Sequence, residues 1–142
     1  MKLSYTLVAV QFTCMFYLML TGEIIPSDEI YLTLLILTLI PGIWAIYSFR
    51  FRFSIFPDLK EGQTLNTSGP YKFVRHPMYT SVISLTLIWV INNLSLIRII
   101  VWSVLVIVLI IKLKYEEKLL TEKFPEYGSY INNSKMIFPF LY

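Results

Sequence analysis

Long apolar runs separated by short polar segments dominate the chain. The first runs from about Leu3 to Leu20 and the second from about Ile30 to Phe49, and each is long enough to cross a hydrocarbon core, which needs about 20 mainly apolar residues. A third run, Met78 to Ile91, is shorter, and a fourth extends from Leu94 to Leu113. The pattern predicts an all-α fold, a polytopic transmembrane helix bundle of about four spans that forms a single domain over residues 1–142.

The first apolar run has a competing interpretation as a cleaved signal peptide, because Lys2 precedes it. The run is longer than the apolar region of a typical signal peptide, and the Thr21-Gly22-Glu23 segment that follows lacks a small-x-small cleavage motif. We therefore interpret the run as a membrane span.

Each of the other three runs carries an irregularity. Pro41-Gly42 predicts a kink or break near the middle of the second, because proline removes a backbone donor. The third run is short for a full crossing, which predicts a tilted helix or a locally thinned bilayer. Arg98 lies near the start of the fourth run, where we expect its side chain to snorkel to the membrane surface.

Composition agrees with a membrane protein, since 56% of the residues are hydrophobic and only 15% are charged. The net charge of +3 could indicate nucleic acid binding, but the basic residues flank the apolar runs, where they reflect topology and contact anionic headgroups. We therefore expect membrane lipids and no nucleic acid as partners. Cys14 is the only cysteine and His76 the only histidine, so the sequence predicts no internal disulfide and no metal site of the Cys/His type. It leaves the oligomeric state open.

The distribution of charge predicts the topology. Of the twelve Lys and Arg residues, all except Arg98 lie near the N-terminus, in the loop from Arg50 to Pro77, or from Lys112 onward, whereas the loop from Thr21 to Glu29 carries only acids. The positive-inside rule then places both termini and the long loop of this multi-pass protein in the cytoplasm. After Lys114, apolar and aromatic residues recur at helical spacing and predict an amphipathic helix that continues the fourth span: Tyr115, Leu119, Leu120, Phe124 and Tyr127.

One cluster of chemically capable residues ends the long loop, in the stretch T-L-N-T-S-G-P-Y-K-F-V-R-H-P-M-Y from Thr64 to Tyr79. Arg75 offers a planar fork suited to a carboxylate, and His76 is a switchable donor that the following proline holds in an extended conformation. Tyr71 and Tyr79 offer ring faces that can stack on a base or face a cation. The alternative is an ordinary belt of basic and aromatic residues that anchors the spans at the interface.

A second cluster, K-L-K-Y-E-E-K-L-L from Lys112 to Leu120, lies where the fourth span leaves the membrane. Glu116 and Glu117 are close enough to the surface to reach a cationic or hydroxyl-bearing ligand held by the loop. The alternative is a solvated helix face on which Lys112 and Glu116 form an i,i+4 pair that contributes about 0.3 kcal/mol.

Together the two clusters resemble the isoprenylcysteine carboxyl methyltransferase family and its phospholipid methyltransferase relatives. Sequences of these families look alike in the order of their elements. They contain T-x-x-T-x-G-x-Y-x-x-x-R-H-P-x-Y, then a helical hairpin, then E-E-x-x-L, and then an aromatic tail with a late proline. In this chain the corresponding elements are Thr64 to Tyr79, the hairpin from Met78 to Leu113, Glu116-Glu117 with Leu120, and then Phe124, Tyr127, Tyr130 and Pro139. Two positions depart from the pattern: Phe124-Pro125 replaces the usual Phe-Gly, and Lys112 stands where eukaryotic relatives have an arginine linked to the substrate carboxylate.

The resemblance implies an enzyme, a methyltransferase dependent on S-adenosyl-L-methionine that binds this cofactor without a Rossmann fold, and the chain contains no G-x-G-x-x-G motif. It implies catalytic roles for Arg75 and Glu117 and a substrate contact for Lys112, although lysine lacks the bidentate fork that a prenylcysteine carboxylate would meet. The cofactor region would comprise residues 63–79 and 112–139. The resemblance implies these cofactor-binding residues: Gln63, Thr64, Leu65, Asn66, Tyr71, His76, Pro77, Met78, Tyr79 and Glu116.

The acceptor implied by the resemblance is a small lipophilic molecule or lipid, methylated as by the isoprenylcysteine carboxyl O-methyltransferases. Phospholipid N-methylation and thiol S-methylation remain open. A carboxylate needs no general base, whereas an ammonium or thiol must first lose a proton, and the sequence shows no convincing buried base, which favours carboxylate or thiolate acceptors.

A small four-helix transporter or non-enzymatic membrane protein is a more distant alternative. Ion-coupled carriers usually place an ionisable residue within a span, whereas the acids here lie in loops and in the tail. A lipid-modifying reductase of the related sterol group would need a nicotinamide site, for which no residues are evident.

Overall fold

The computed structural model describes residues 2–48, 56–58 and 64–138. Apart from a 3₁₀ turn at Gly69–Lys72 and one parallel β-bridge, the regular structure within these residues is α-helical. The helices are α1 (Lys2–Leu20), α2 (Glu29–Ser48), α3 (Pro77–Asn92), α4 (Leu96–Lys123) and α5 (Tyr127–Asn133). The predicted all-α membrane bundle is confirmed.

Three of these helices, α1, α2 and α4, are long and apolar enough to cross a membrane. The third predicted span, α3, has 16 residues. At about 1.5 Å per residue it is about 24 Å long, which is less than the roughly 30 Å of a hydrocarbon core. Sequence and structure therefore agree that α3 is the short member of the bundle.

The helices pack as two main pairs, α2 against α3 and α1 against α4, and the short connection between α3 and α4 joins the pairs. Leucines of α4 fill the centre, with Leu105, Leu109 and Leu113 all at most 1% exposed. The outer surface is also apolar, as expected for contact with lipid chains. On α2 the exposed apolar residues include Ile30, Leu34, Ile36, Leu37, Ile40, Ile43 and Trp44, and on α4 they include Ile97, Ile100, Val104, Ile107 and Ile111.

The Pro41-Gly42 pair does not break α2, which continues through Pro41 to Ser48. Gly42 faces α3 so closely that an added Cβ would lie 2.7 Å from the Ser81 hydroxyl oxygen. The Ser81 hydroxyl donates to the Thr38 carbonyl oxygen in the same region. Of the predicted kink or break, the break is wrong because α2 stays helical through Pro41, whereas the kink stays a prediction. Gly42 allows the close packing of α2 on α3.

Arg98 does not snorkel to the membrane surface. Its side chain is buried and donates to the carbonyl oxygens of Leu18 at 3.0 Å and Trp89 at 2.7 Å, and to the Thr21 hydroxyl at 2.5 Å. The two carbonyls belong to the last turns of α1 and α3, and the Trp89 carbonyl also accepts from the Asn93 N–H at 3.3 Å. The expectation was wrong because the ends of α1 and α3 enclose the Arg98 side chain, and the sequence did not place the end of α1 beside it.

The fourth span continues without interruption to Lys123, as predicted, so that α4 contains 28 residues. The helix extends for about 42 Å and its C-terminal turns project beyond a hydrocarbon core of roughly 30 Å. Phe124 is extended because it precedes Pro125. Tyr127 therefore begins a separate helix, α5, and does not continue the face of α4 as the spacing had suggested.

Candidate functional site

The loop before α3 is shaped by glycine and proline. Gly69 has a φ of 60°, a left-handed conformation that glycine adopts without strain, and it opens the 3₁₀ turn. Pro77 is the first residue of α3, a position where its missing N–H is not needed. His76 consequently lies at the helix N-terminus, where the chain enters the bundle.

His76 lies between the two carboxylates of the second cluster. Its Nδ1 is 3.9 Å from an oxygen of Glu116, and its Nε2 is 3.3 Å from an oxygen of Glu117. The imidazole is 4% exposed. The hairpin of α3 and α4 therefore brings the two sequence clusters into contact, as the predicted site requires.

Glu117 is held mainly by an arginine of the loop. Arg75 Nε donates to Glu117 Oε1 at 2.6 Å, and Arg75 Nη1 donates to the carbonyl oxygens of Ile131 at 3.2 Å and Ser134 at 2.5 Å. The Tyr127 hydroxyl approaches the same Glu117 oxygen at 3.4 Å. The Arg75–Glu117 ion pair thus joins the loop, α4 and the tail, and Arg75 meets a carboxylate of the protein itself.

Glu116 is the less constrained carboxylate. It accepts a hydrogen bond from the Tyr79 hydroxyl at 3.2 Å, its side chain is 25% exposed, and within the described part of the chain it has no arginine partner. Burial and, to a lesser extent, the nearby Glu116 carboxylate raise the pKa of Tyr71 well above its usual value. Tyr71 is therefore a neutral aromatic neighbour of the Glu116 carboxylate.

Lys112 lies one turn deeper along α4 than Glu116. Its side chain is buried, Nζ donates to Gln11 Oε1 at 2.5 Å, and it lies 5.7 Å from the centre of the Tyr79 ring. The first span therefore contributes a residue to this region. Sequence reasoning did not identify Gln11, since a lone glutamine in a span gives no indication of which helix it faces.

The remaining predicted cofactor residues lie in the loop or at the start of α3. The Asn66 amide donates to the Ser48 carbonyl at 3.2 Å, and its Oδ1 accepts from the Ser68 N–H at 3.0 Å and hydroxyl at 2.7 Å. Gln63 lies outside the described residues. Thr64 is exposed, Leu65 and Met78 are partly buried, and Pro77 is buried.

The tail after α5 runs beside the loop and bonds to its backbone. The N–H groups of Arg75 and His76 donate to the carbonyls of Lys135 and Met136 at 2.7 and 3.1 Å, and the Lys135 N–H donates to the Phe73 carbonyl at 3.0 Å. The predicted cofactor region of residues 112–139 includes this segment, but its backbone pairing with the loop was not predicted from the sequence. A single backbone bridge leaves no periodic pattern that would reveal it.

Two side-chain hydroxyls strengthen the same contact. Tyr130 donates to the Tyr71 carbonyl at 2.6 Å, and Thr80 donates to the Ile137 carbonyl at 2.5 Å. Ile137 is itself buried in the core. The tail therefore binds the chain on both sides of His76, at Tyr71 before it and at Thr80 after it.

In the parts of the chain that the structure describes, no three His, Cys, Asp or Glu residues are grouped so that they could hold a metal ion. The sequence model of the phospholipid methyltransferase family matches residues 30–127. This range includes nearly all of α2, the whole of α3 and α4, and the cluster formed by His76, Glu116 and Glu117, here called the His76–glutamate cluster. No curated protein matches the chain.

Proposed function

Since this chain belongs to the phospholipid methyltransferase family and is an integral membrane methyltransferase, we propose that it transfers a methyl group from S-adenosylmethionine to a lipophilic acceptor at the cytoplasmic surface of the membrane. The observation that carries the proposal is the contact of His76 with both Glu116 and Glu117. The transporter and reductase alternatives are set aside, because the family is one of methyltransferases.

The residues around Glu116 fit the chemistry of this cofactor, which when bound supplies a methyl group on a cationic sulfonium. Glu116 can accept hydrogen bonds from an amine or from ribose hydroxyls, because only the Tyr79 hydroxyl bonds to it among the described residues. The faces of Tyr71 and Tyr79 can lie against a cation. His76 can donate to a carboxylate. The loop residues from Gln63 to Asn66, with Pro77 and Met78, complete the proposed cofactor region.

Arg75 and Glu117 act in this proposal through the position of His76. Their side chains are bonded to each other and to the tail, and both are largely buried, at 7% and 14% exposed. Little of the surface of either side chain remains exposed to contact a substrate. We therefore assign them as positioning residues, which is a narrower role than the catalytic one implied by the resemblance.

The acceptor is proposed to be lipophilic, with a carboxylate or an amine as the group that is methylated. A carboxylate fits Lys112, a buried cation one turn from Glu116. An amine is the second candidate: with Nε2 of His76 beside Glu117, Nδ1 can accept the proton that an ammonium must lose before it attacks the methyl group, and in that case His76 does not donate to the cofactor carboxylate. Sequence reasoning did not identify His76 as a candidate base, since its partner Glu117 comes from another helix.

The test follows an isotopically labelled methyl group from S-adenosylmethionine into lipid-soluble product, with the purified protein in nanodiscs. One arm contains phosphatidylethanolamine, and the other contains a prenylated cysteine with a free carboxylate. Base treatment releases methanol from a methyl ester but leaves an N-methyl group in place, so the product identifies the acceptor class. We expect transfer in one arm, with loss in His76→Ala and retention in Lys118→Gln. Folded protein that transfers no label in either arm would contradict the proposal.

A further inference from the structure

A cleft lies near the cluster formed by His76, Glu116 and Glu117, within the predicted cofactor region of residues 63–79 and 112–139 but lined by other residues of that region. It has a volume of about 310 Å³ and is lined by Lys72, Phe73 and the segment from Ile131 to Lys135. None of these residues belongs to the His76–glutamate cluster. The size lies at the lower end of the range for sites that bind small organic groups, roughly 300 to 1,000 Å³.

The cleft carries uncompensated positive charge. Lys72 and Lys135 are exposed, and neither ammonium has a carboxylate partner among the described residues. The lining contains no Asp or Glu, and Asn132 adds an exposed amide. This arrangement suits an anion that can accept hydrogen bonds from two ammonium groups.

The apolar part of the lining indicates where that anion comes from. Phe73 is 58% exposed although it is a large hydrophobic residue, and it lies four positions before Pro77, where α3 begins. An exposed aromatic next to lysines at the end of a membrane helix is typical of the level of the lipid headgroups. A soluble anion would leave the Phe73 ring in water, whereas a lipid can cover it.

We propose that this cleft binds the headgroup of an anionic phospholipid, with Lys72 and Lys135 on the phosphate and Phe73 against the adjoining glycerol and acyl chain. The site is separate from the one that holds the acceptor and goes beyond the proposed methyl transfer. A headgroup in this cleft would also affect the contacts of Arg75, which donates to the carbonyls of Ile131 and Ser134, two residues of the lining. A bound headgroup would hold together the same two segments that Arg75 joins.

The test measures lipid binding and needs no methyl transfer. Native mass spectrometry of the protein released from nanodiscs compares phosphatidylglycerol with phosphatidylcholine. We expect a preference for phosphatidylglycerol that falls about thirtyfold in the double variant Lys72→Gln, Lys135→Gln, since each lysine near a lipid phosphate contributes a preference of about fivefold. Lys118→Gln is the matched control, an exposed lysine of α4 that pairs with Glu122, and it should keep the preference.

Three results would overturn the proposal: no preference in the unmodified protein, an equal loss in Lys118→Gln, or displacement of phosphatidylglycerol by an equal concentration of inorganic phosphate. The last would identify a site for a soluble anion. Affinity for S-adenosylmethionine is measured on the same samples, so that failure of the lipid site and failure of the proposed methyl transfer give different patterns.

Discussion

Two buried arginines lie near opposite ends of α4 and are satisfied in different ways. Arg75 meets the Glu117 carboxylate at 2.6 Å, and that carboxylate also contacts His76. Arg98 bonds to three uncharged oxygens, those of Leu18, Thr21 and Trp89, and within the described residues it forms no ion pair. Its Nε also has no hydrogen-bond partner there.

The difference separates a structural contact between helix ends from the charged cluster that we propose as the cofactor site. Carbonyls at helix C-termini carry partial negative charge, so two helix ends can hold a guanidinium without any group that titrates near neutrality. Arg75 instead belongs to a chain of charged and titratable groups that reaches His76 and Glu116. We therefore expect substitution of Arg98 to change stability alone, and substitution of Arg75 to change both stability and ligand binding.

The largest effect on stability is expected for Arg98→Met. The change removes three hydrogen bonds, two of them to carbonyl oxygens of α1 and α3, which should lower the free energy of unfolding by about 3 to 5 kcal/mol. Denaturant unfolding in detergent measures the loss. Arg98→Lys, which keeps the charge and part of the bonding, should lose less. The assignment of Arg98 as a structural contact fails if Arg98→Met is as stable as the unmodified protein, or if its folded fraction has lost affinity for S-adenosylmethionine.

Breaking the ion pair should have a smaller effect on stability and a second effect on binding. Arg75→Met and Glu117→Gln are each expected to lower the free energy of unfolding by about 2 to 3 kcal/mol, since each leaves a buried partner behind. A double-mutant cycle should give a coupling energy of about 1.5 to 3 kcal/mol. Additive losses in the double variant would show that the two side chains do not act as a unit.

Glu116 allows the opposite test from Glu117, because its substitution should weaken cofactor binding and leave stability nearly unchanged. Glu116→Ala should leave stability nearly unchanged and weaken S-adenosylmethionine binding roughly ten- to a hundredfold, equivalent to about 1.5 to 3 kcal/mol for one charged contact. The physical reason is that Glu116 lacks the arginine and tail contacts of Glu117. Isothermal titration and unfolding of the same sample measure both quantities. Normal affinity in this variant would show that Glu116 belongs to a solvated helix face and does not contact the cofactor.

Lys112→Met sharpens the assignment of the acceptor. If the acceptor is anionic, the variant should raise its apparent Michaelis constant by about tenfold while S-adenosylmethionine binds normally, because one charged contact is lost. Gln11→Met is the matched control, since it removes the same hydrogen bond and keeps the cation. An equal effect in both variants would assign the change to packing, and a loss of cofactor affinity would make Lys112 part of the cofactor site.

Sequence reasoning succeeded where a single segment carries the information. The bounds of α1 and α2 follow from apolar length, and the pairing of the His76 loop with Glu116 and Glu117 follows from motif order across a hairpin. It failed where a side chain depends on a partner from a distant segment. Arg98 was expected at the surface because two of its three partners, Leu18 and Thr21, are 80 and 77 positions away in sequence, and the tail beside Arg75 gave no periodic signal.

The topology test uses the substitutions that should change the stability of the protein least. Ser27→Cys lies in the acidic loop, and Gly128→Cys lies on α5 where an added Cβ meets nothing within 4 Å, so both should fold normally. The native Cys14 is buried. A membrane-impermeant thiol reagent applied from outside should label the first variant only. Labelling of the second instead would reverse the topology and remove the cytoplasmic route for the cofactor.

The central claim is that the meeting of the His76 loop with the end of α4 creates a site for S-adenosylmethionine. Calorimetric titration of the purified protein in detergent tests it most directly, with His76→Ala as the variant and Lys118→Gln as the control. The account predicts saturable binding to the unmodified protein and to Lys118→Gln, with affinity lower by roughly ten- to a hundredfold in His76→Ala. Folded protein that takes up no S-adenosylmethionine, or that binds it equally well without the His76 imidazole, would contradict the account.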